Sequence, residues 1–486
     1  MNAIQKLAKN IGSLFVSQIL GYFIAFIYSI YLIRYLGVEN FGVLSFALAL
    51  TSILTVFCDL GLTTLMTREV AKDKSLTSKY LKNTISIKLL LSIAVVIFTV
   101  VIINNLGYPQ SELYVIYFLL LSLIFTTFCG VFFSIFQAYE KLEYQSIANV
   151  LNSILMFIGV VILINYNSGL IWISALYALV NGLILLYYLY ISTSKFKFPF
   201  PKMEFDFEFW KSSIAIALQF GLIGVFSTIY IWIDSVMLSF MVNNEAVGLY
   251  NAAYRIITVL LFVPFVMNAA IFPVMSKMYD SGGDSLNKLV EKYLKVMIIV
   301  GIPLGIGVTF LAKDIIILLF GNAYADSAIA LQILVWATVI TFIYSSYVSL
   351  FISADKQMTL NKIAFFGMII NIVLNLILIP KFSFIAASFN TVLTELAMII
   401  LVFITASSSN MLLNKKQILN DFSRVIISGL IMALFLVFFN NLELFLSNYL
   451  ELFLSIFLAM VVYIVALFVT RAIDDEDINI IKQIRG

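Results

Sequence analysis

The chain alternates between long apolar runs and short polar segments along its whole length. A transmembrane helix needs about 20 predominantly apolar residues, and fourteen runs meet or approach that length. Their approximate cores cover residues 11–36, 41–66, 84–105, 113–137, 146–165, 170–192, 212–240, 248–276, 293–312, 327–352, 363–380, 385–406, 422–440 and 448–470. The pattern therefore predicts an all-α integral membrane protein with about 14 transmembrane helices.

The segment that joins the first two runs has a second copy. With an offset of 206 positions, Glu39 aligns with Glu245, Gly42 with Gly248 and Ala47 with Ala253. Matches continue down the chain at offsets of 214 and 215, which is the pattern of a duplicated half. Equivalent positions of the two copies are six apolar runs apart, so both copies have the same orientation in the membrane. This arrangement predicts two six-helix bundles related by a pseudo-two-fold axis along the membrane normal. The predicted domains are residues 1–198, residues 199–406, and residues 407–486 with two extra helices and a tail.

The distribution of lysine and arginine predicts the orientation. If the N-terminus is cytoplasmic, the inner segments hold 25 of the 29 basic residues, including six from Arg68 to Lys88, while the outer loops hold only Lys313 and Lys381. Basic residues are enriched in cytoplasmic loops of membrane proteins. We therefore expect a multi-pass protein of the cytoplasmic membrane with both termini in the cytoplasm.

Composition narrows the chemistry. Hydrophobic residues make up 62% of the chain and charged residues 11%, with a mean hydropathy of +1.06. Histidine is absent, which excludes imidazole ligands and histidine-based catalysis. The chain has no G-x-x-x-x-G-K-[ST] motif for nucleotide phosphates, and its net charge of +3 is no sign of nucleic-acid binding. We expect no enzyme, no cofactor and no metal site, and we interpret the acidic run Asp474 to Asp477 as a solvated tail.

Charged residues inside apolar runs stand out, because an ionised side chain near mid-bilayer costs at least about 2.5–3.5 kcal/mol and normally faces a cavity or a partner. Five residues have this character: Arg34, Asp59, Asp234, Arg255 and Glu395. For Asp59 and Asp234, a structural ion pair with an arginine is the alternative interpretation. For Arg34, the alternative is anchoring at the interface.

Several of these charges share a helix face with smaller polar residues. At 100° per residue, Ser45, Ser52, Thr55 and Asp59 lie on one face of the second run, and Asn251, Arg255 and Thr258 on one face of the eighth. Tyr230 and Asp234 align on the seventh run, and Ser388, Thr391 and Glu395 on the twelfth. We predict that these faces line one shared cavity; helix–helix hydrogen bonding is the alternative for stripes without a charge.

Four passages resemble the polysaccharide-transporter branch, the Wzx flippases, of the multidrug/oligosaccharidyl-lipid/polysaccharide (MOP) flippase superfamily. They are Lys9-Asn10 before the first run, Arg34 to Gly42, Asp59-Leu60-Gly61-Leu62 with Arg68-Glu69-Val70-Ala71, and Leu319 to Tyr324. The resemblance implies a V-shaped pair of six-helix bundles with two extra helices. It also implies alternating access that flips a polyprenyl-(pyro)phosphate-linked oligosaccharide to the outer leaflet. By that resemblance, Arg34 and Arg255 are the cationic cavity residues that hold the pyrophosphate or acidic sugars.

Other functions share this architecture. The same superfamily includes peptidoglycan-precursor lipid flippases and drug or cation antiporters, although two basic cavity residues favour an anionic cargo. A membrane glycosyltransferase or polymerase would need larger outer loops with catalytic carboxylates. Besides the lipid-linked oligosaccharide and membrane lipids, the implied partners are glycan polymerase and glycosyltransferase machinery. Without a nucleotide site we expect coupling to H⁺ or Na⁺ or to the membrane potential, with Asp234 as the first carboxylate, followed by Asp59 and Glu395.

Overall fold

The computed structural model describes residues 3–198, 203–281, 284–408, 414–441 and 448–473. Over these ranges the chain forms α-helices joined by short loops, and the described residues contain no β-strand. The helices are α1 (Ala3–Asp59), α2 (Leu62–Lys72), α3 (Thr77–Asn105), α4 (Gln110–Ala138), α5 (Glu143–Asn165), α6 (Leu170–Ser194), α7 (Phe207–Met241), α8 (Asn244–Leu260), α9 (Phe262–Ser281), α10 (Asp284–Phe320), α11 (Ser327–Ser353), α12 (Gln357–Ser408), α13 (Lys415–Asn440) and α14 (Asn448–Val469). The predicted all-α class is confirmed.

Twelve helical stretches among the described residues are long and apolar enough to cross a membrane. Two of them, Leu14–Asp59 with 46 residues and Gln357–Ser408 with 52 residues, have about twice the length that one crossing needs. Each is interrupted once by a residue with non-helical backbone angles, Gly37 at φ 70° and Ser383 at φ 54°. With two crossings in each of these helices, the fourteen predicted spans are accounted for.

Two spans differ from the sequence prediction in their course. The second was expected over residues 41–66, but α1 ends at Asp59 and α2 begins at Leu62 after two residues with positive φ, Leu60 and Gly61. The eighth was expected as one helix over residues 248–276, but it is divided between α8 and α9 at Leu261. Both breaks lie within apolar sequence, so hydrophobic periodicity carries no sign of them.

The chain forms two compact units, Met1–Gly248 and Leu249–Gly486. In the first unit, α1 packs on α4, α5 and α7, and α4 packs on α6. In the second, α10 packs on α11, α11 on α12, and the pair α13–α14 on α10. The domain boundaries after residues 198 and 406 follow the duplication and stay a prediction.

The two helices outside the duplication are fixed to α10. The Tyr463 hydroxyl donates to the Ile299 carbonyl oxygen over 2.8 Å, and Gly429 of α13 lies against the side chains of Ile302 and Ile306. The Ser428 and Thr470 hydroxyls, 2.9 Å apart, join α13 to the end of α14. These contacts make α13 and α14 part of the second unit.

The segment before α7 is docked on α3 of the first unit. Asn83, which is fully buried, accepts through Oδ1 from the Trp210 indole N–H at 2.8 Å and from the Asp206 backbone N–H at 3.3 Å. Lys79 pairs with the Asp206 carboxylate at 3.4 Å. The Phe209 backbone N–H donates to that carboxylate and, together with Lys79, keeps the pKa of Asp206 below its ordinary value. The entry to α7 is thus tied to α3 by side-chain contacts.

Candidate functional site

The junction of the first two spans lies inside α1. Arg34 has an exposed side chain three residues before the break at Gly37. The neighbouring Tyr35 hydroxyl donates over 2.9 Å to the carbonyl oxygen of Ser168, in the loop between α5 and α6. The junction that presents Arg34 is therefore held in place by a neighbouring loop.

The first unit brings the two copies of the repeat into direct backbone contact. A Cβ atom on Gly42 would lie 1.7 Å from the Asn244 carbonyl oxygen, and one on Gly248 would lie 2.1 Å from the Val38 carbonyl oxygen. Val38 and Asn244 are themselves 206 positions apart, so each half of this contact is the repeat equivalent of the other. Only glycine allows two backbones to approach so closely. We call this contact the Gly42–Gly248 crossing.

An ion pair between a buried lysine and a half-buried aspartate lies at the end of α1. The Lys88 ammonium of α3 is 2.6 Å from the Asp59 carboxylate, and the side chains are 1% and 29% exposed, respectively. Lys88 also donates to Thr63 Oγ1 at 2.9 Å and to the Thr127 carbonyl oxygen at 3.4 Å. Asp59 is therefore neutralised by a lysine, whereas the sequence interpretation considered an arginine.

The assignment of Lys88 to a basic loop is wrong. Lys88 lies eleven residues into α3, and its neighbours Ile85 and Ile87 are buried core residues. Counting basic residues by segment could not reveal this, because the same helix begins with solvent-facing lysines. The available signal was the apolar sequence on both sides of Lys88.

Asp234 lies in the second half of α7 and is almost fully buried, with 3% of its surface exposed. The adjacent Ser235 is also buried, while Tyr230, one turn earlier, is half-buried. An ionisable carboxyl group at such a depth in an apolar helix is a functional-site candidate. Asp234 is therefore a buried carboxyl group within a membrane-spanning helix, and its role in coupling stays a prediction.

In the second unit, Arg255 is half-buried on α8. One turn earlier on the same helix, Tyr250 is buried and its ring stacks on that of Tyr254, with centroids 5.8 Å apart. The Tyr250 hydroxyl lies 3.5 Å from Thr391 Oγ1 of α12. The helices α8 and α12 are therefore in contact through Tyr250, which lies outside the predicted polar face of the eighth span, and the shared cavity stays a prediction.

The hydroxyl groups of the predicted stripes mostly bond to their own helices. Ser52 donates to Leu48 O over 2.7 Å, Thr55 to Thr51 O over 2.7 Å, and Thr258 to Tyr254 O over 3.0 Å. Ser45 is buried, Ser52, Thr55 and Asn251 are half-buried, and Thr258 is exposed. A hydroxyl that donates to its own backbone still has lone pairs available to accept from a ligand.

The second unit also holds a buried amide ladder that the sequence interpretation missed. Asn390 Nδ2 donates to Asn375 Oδ1 at 2.9 Å, and Asn375 Nδ2 donates to Asn371 Oδ1 at 3.0 Å. All three are fully buried, and Thr394 and Glu395 follow on the same helix as Asn390, at 0% and 8% exposure. The ladder joins the two crossings of α12. The spacing of Asn371 and Asn375 was the available signal, because four residues place two side chains on one helix face.

No three His, Cys, Asp or Glu side chains come together as metal ligands in the described parts of the chain. The acidic run Asp474 to Asp477 lies outside the described residues. The intramembrane charges of the described residues are therefore two arginines, the Asp59–Lys88 ion pair, and the buried carboxyl groups of Asp234 and Glu395.

The polysaccharide biosynthesis protein family matches residues 7–279, which is more than half of the chain. The chain belongs to this family. A second family model, MatE, matches residues 221–377. The resemblance seen in the sequence is confirmed.

Two relatives and one solved structure illustrate the similarity. The chain is 31% identical over 172 residues to the probable flippase AglR of Haloferax volcanii, covering 34% of this chain and 35% of that protein. It is 22% identical over 392 residues to the probable low-salt glycan biosynthesis flippase Agl15 of the same organism, covering 80% of this chain and 81% of that protein. The fold is similar to that of the lipid II flippase MurJ in an inward closed conformation, with a TM-score of 0.78, 16% identity and coverage of 96% and 99%. The MOP fold is thereby shown.

Proposed function

We propose that this polysaccharide biosynthesis family protein is a flippase. It moves a polyprenyl-(pyro)phosphate-linked oligosaccharide across the cytoplasmic membrane by alternating access, with both termini in the cytoplasm. The observation that carries the proposal is Arg34 in the first copy of the repeat and Arg255 in the second, exposed and half-buried respectively, in helical stretches that are long and apolar enough to cross a membrane. Relatives named as flippases support it.

The chemistry of the cargo fits these two residues. A guanidinium group offers paired N–H donors in a fixed plane, which match the oxygens of a phosphate or a carboxylate. The function requires no covalent bond to be made or broken, so the protein is not an enzyme. Glycosyltransferases would supply the cargo, and a glycan polymerase would consume it on the outer side.

Two alternatives belong to the same architecture. A peptidoglycan-precursor flippase would carry the same lipid pyrophosphate with a different glycan, as the name of MurJ indicates for that protein. A drug or cation antiporter would carry a cation, which the positive charges of Arg34 and Arg255 would repel. The charge of the cargo distinguishes the drug or cation antiporter from the proposed function. The structure of the glycan distinguishes the peptidoglycan-precursor flippase from it.

The direct test is flipping in proteoliposomes. A polyprenyl-pyrophosphate oligosaccharide with a fluorescent sugar should become accessible to a membrane-impermeant quencher only when the protein is present. Lipid II and a fluorescent organic cation provide the two comparisons. Transport of the cation without movement of either lipid would contradict the proposal.

We further propose that Asp234 couples transport to an ion. A buried carboxyl group that binds H⁺ or Na⁺ in one state and releases it in the other can draw on the membrane potential, worth about 2.3 kcal/mol per charge at 100 mV. The burial of Asp234 supports this assignment. Glu395, also buried, is the second candidate.

Proteoliposomes with imposed pH, sodium or voltage gradients provide the test. Asp234→Asn should make the flipping rate insensitive to the gradient that accelerates the wild-type protein. Asp314→Asn, which changes an exposed carboxylate on α10, should keep the wild-type response. A gradient response of Asp234→Asn equal to the wild-type response would remove Asp234 from the mechanism.

A further inference from the structure

The connection between α1 and α2 is a sharp bend stabilised by Asp59. Leu60 and Gly61 have φ values of 49° and 86°, in the left-handed region. The Asp59 carboxylate accepts from the backbone N–H groups of Gly61 at 3.1 Å and Thr63 at 3.3 Å, and also from the Thr63 hydroxyl. It therefore satisfies backbone donors at the start of α2 in the manner of a helix cap. We call residues 59–61 the elbow.

Lys88 fixes the elbow from inside the first unit. Its ammonium group has three donors, and its contacts with Asp59, Thr63 and the Thr127 carbonyl use all of them. Removing one member of this ion pair is destabilising, because the other charge is left uncompensated. The elbow is thus tied to α3 and α4 by an interaction that does not break easily.

On its other side, the elbow crosses α7 through backbone atoms. A Cβ atom on Gly61 would lie 2.3 Å from the Ala217 carbonyl oxygen, and one on Gly221 would lie 2.4 Å from the Leu60 carbonyl carbon. The buried residues around this contact, including Leu62, Leu65 and Trp210, are apolar. This contact can separate without breaking an ion pair, unlike the contact of the elbow with Lys88, while the entry of α7 stays docked on α3 through Asp206 and Trp210.

Two glycine crossings therefore join the first part of the chain to the segment that runs from α7 to α8. The Gly61–Gly221 crossing lies at the start of α2 and in the middle of α7, and the Gly42–Gly248 crossing follows the end of α7. Alternating access requires the two ends of the pathway to open in turn. An element that is strongly fixed on one side and only in van der Waals contact on the other is suited to such opening.

We propose that Lys88 is a positioning residue of the transport cycle. Through the Asp59–Lys88 ion pair it holds the elbow on α3, so that the elbow and α7 separate and rejoin at the Gly61–Gly221 crossing as a gate. The proposal rests on the proposed flippase function. In this proposal Lys88, and not a transported cation, is the partner that balances the negative charge of Asp59.

The chain carries its own reporter for this test. Cys58 adjoins the elbow and is fully buried, and Cys129 can be removed by Cys129→Ala. In that background, alkylation of Cys58 by membrane-permeant N-ethylmaleimide reports loosening of the elbow without any cargo. The rate of lipid-linked oligosaccharide flipping is measured in parallel.

Lys88→Met should raise the Cys58 alkylation rate and lower the flipping rate, each about tenfold or more, because Asp59 loses its partner. Lys88→Arg should restore part of both properties, and Asp59→Asn/Lys88→Met should be less impaired than Lys88→Met. Lys82→Met is the matched control, since that lysine lies on α3 in a 3.7 Å ion pair with Glu204 and is 34% exposed. Wild-type alkylation and flipping in Lys88→Met would overturn the proposal, as would equal impairment of Lys82→Met.

A second pair of variants tests the crossing even if Lys88→Met does not fold. Gly221→Ala places a methyl group against the elbow, whereas Gly224→Ala, on the same helix, meets no atom within 4 Å. Gly221→Ala should raise Cys58 alkylation and lower flipping, and Gly224→Ala should do neither. Equal behaviour of the two variants would exclude the gate. If the wild-type protein flipped no glycan lipid, the flippase function would fail while the alkylation results would still decide the role of Lys88 at the elbow.

Discussion

Intramembrane charges in this protein occupy different environments. Arg34 is exposed, Arg255 is half-buried, Asp59 is bound to Lys88, and Asp234 and Glu395 are nearly buried. The sequence was sufficient to find these five residues, because each interrupts an apolar run. It could not show that Asp59 has a lysine partner 29 positions away, since nothing in the apolar pattern records which helices pack together.

Arg255→Ala should lower the flipping rate of an anionic glycan lipid about tenfold to a hundredfold, because a hydrogen bond to a charged group contributes about 1.5–3 kcal/mol. Arg255→Lys should recover part of the rate, since an ammonium group keeps the charge and loses the planar pair of donors. The measurement is flipping in proteoliposomes at equal protein content. Arg424→Ala serves as the control, because Arg424 is half-buried like Arg255 and lies on α13, where its side chain donates to the Arg471 carbonyl oxygen. A normal rate for Arg255→Ala would reassign the residue to packing or interfacial anchoring.

Gly42→Ala should lower the flipping rate by disturbing the Gly42–Gly248 crossing. The added methyl group would lie 1.7 Å from the Asn244 carbonyl oxygen, so the backbones must move apart, and such overpacking costs about 1–3 kcal/mol. Gly169→Ala is the matched control, because its Cβ would meet no atom within 4 Å and its φ of −66° suits any residue. Flipping assays and thermal unfolding of both variants should separate them. Equal behaviour would show that the crossing tolerates a side chain.

At the scale of elements, the fourteen spans follow from hydrophobic length, and their breaks do not. The break at Gly37 coincides with a glycine in a polar junction, so it was visible as a boundary between two runs. The breaks at Leu60 and Leu261 lie within apolar sequence, and the first is stabilised by a carboxylate cap that exists only in the folded protein. Packing across helices therefore decides where these spans bend.

The docking of the α7 entry on α3 predicts that a substitution of Asn83 destabilises the segment before α7. Asn83→Ala removes the acceptor of the Trp210 indole and the Asp206 backbone N–H, and an unsatisfied buried donor costs about 1–3 kcal/mol. Asn83→Ala should therefore lower the unfolding temperature and increase trypsin cleavage between Lys195 and Lys211. Asn105→Ala, which loses only a bond to Val101 O of its own helix at an exposed position, should change neither. Unaltered cleavage in Asn83→Ala would mean that the segment does not depend on Asn83.

At the scale of the whole molecule, the duplication predicted from sparse identities has a structural counterpart. The Gly42–Gly248 crossing joins residues that are related by the same 206-residue offset as the sequence matches. Backbone contact at equivalent positions explains why glycine occupies both copies while most other positions differ, since side chains in contact with lipid need only be apolar. The repeat was therefore detectable in the sequence at the few positions where the close approach of two backbones allows only glycine.

The orientation of the molecule is the last prediction. Of the basic residues, 25 lie in segments assigned to the inside and two in outer loops; Lys88 is buried in α3, so 24 of these 25 still support the assignment. Single cysteines in a Cys58→Ala/Cys129→Ala background should react with an impermeant maleimide from outside intact cells at Gln110 and Tyr166, which end loops on one side. Cysteines at Glu140 and Asp355, in loops on the other side, should react only after permeabilisation. Outside labelling at Glu140 with protection at Gln110 would invert the topology. It would also place the gate at the elbow on the outer face, because Asp59 and the Lys/Arg-rich α2 share their side of the membrane with Glu140.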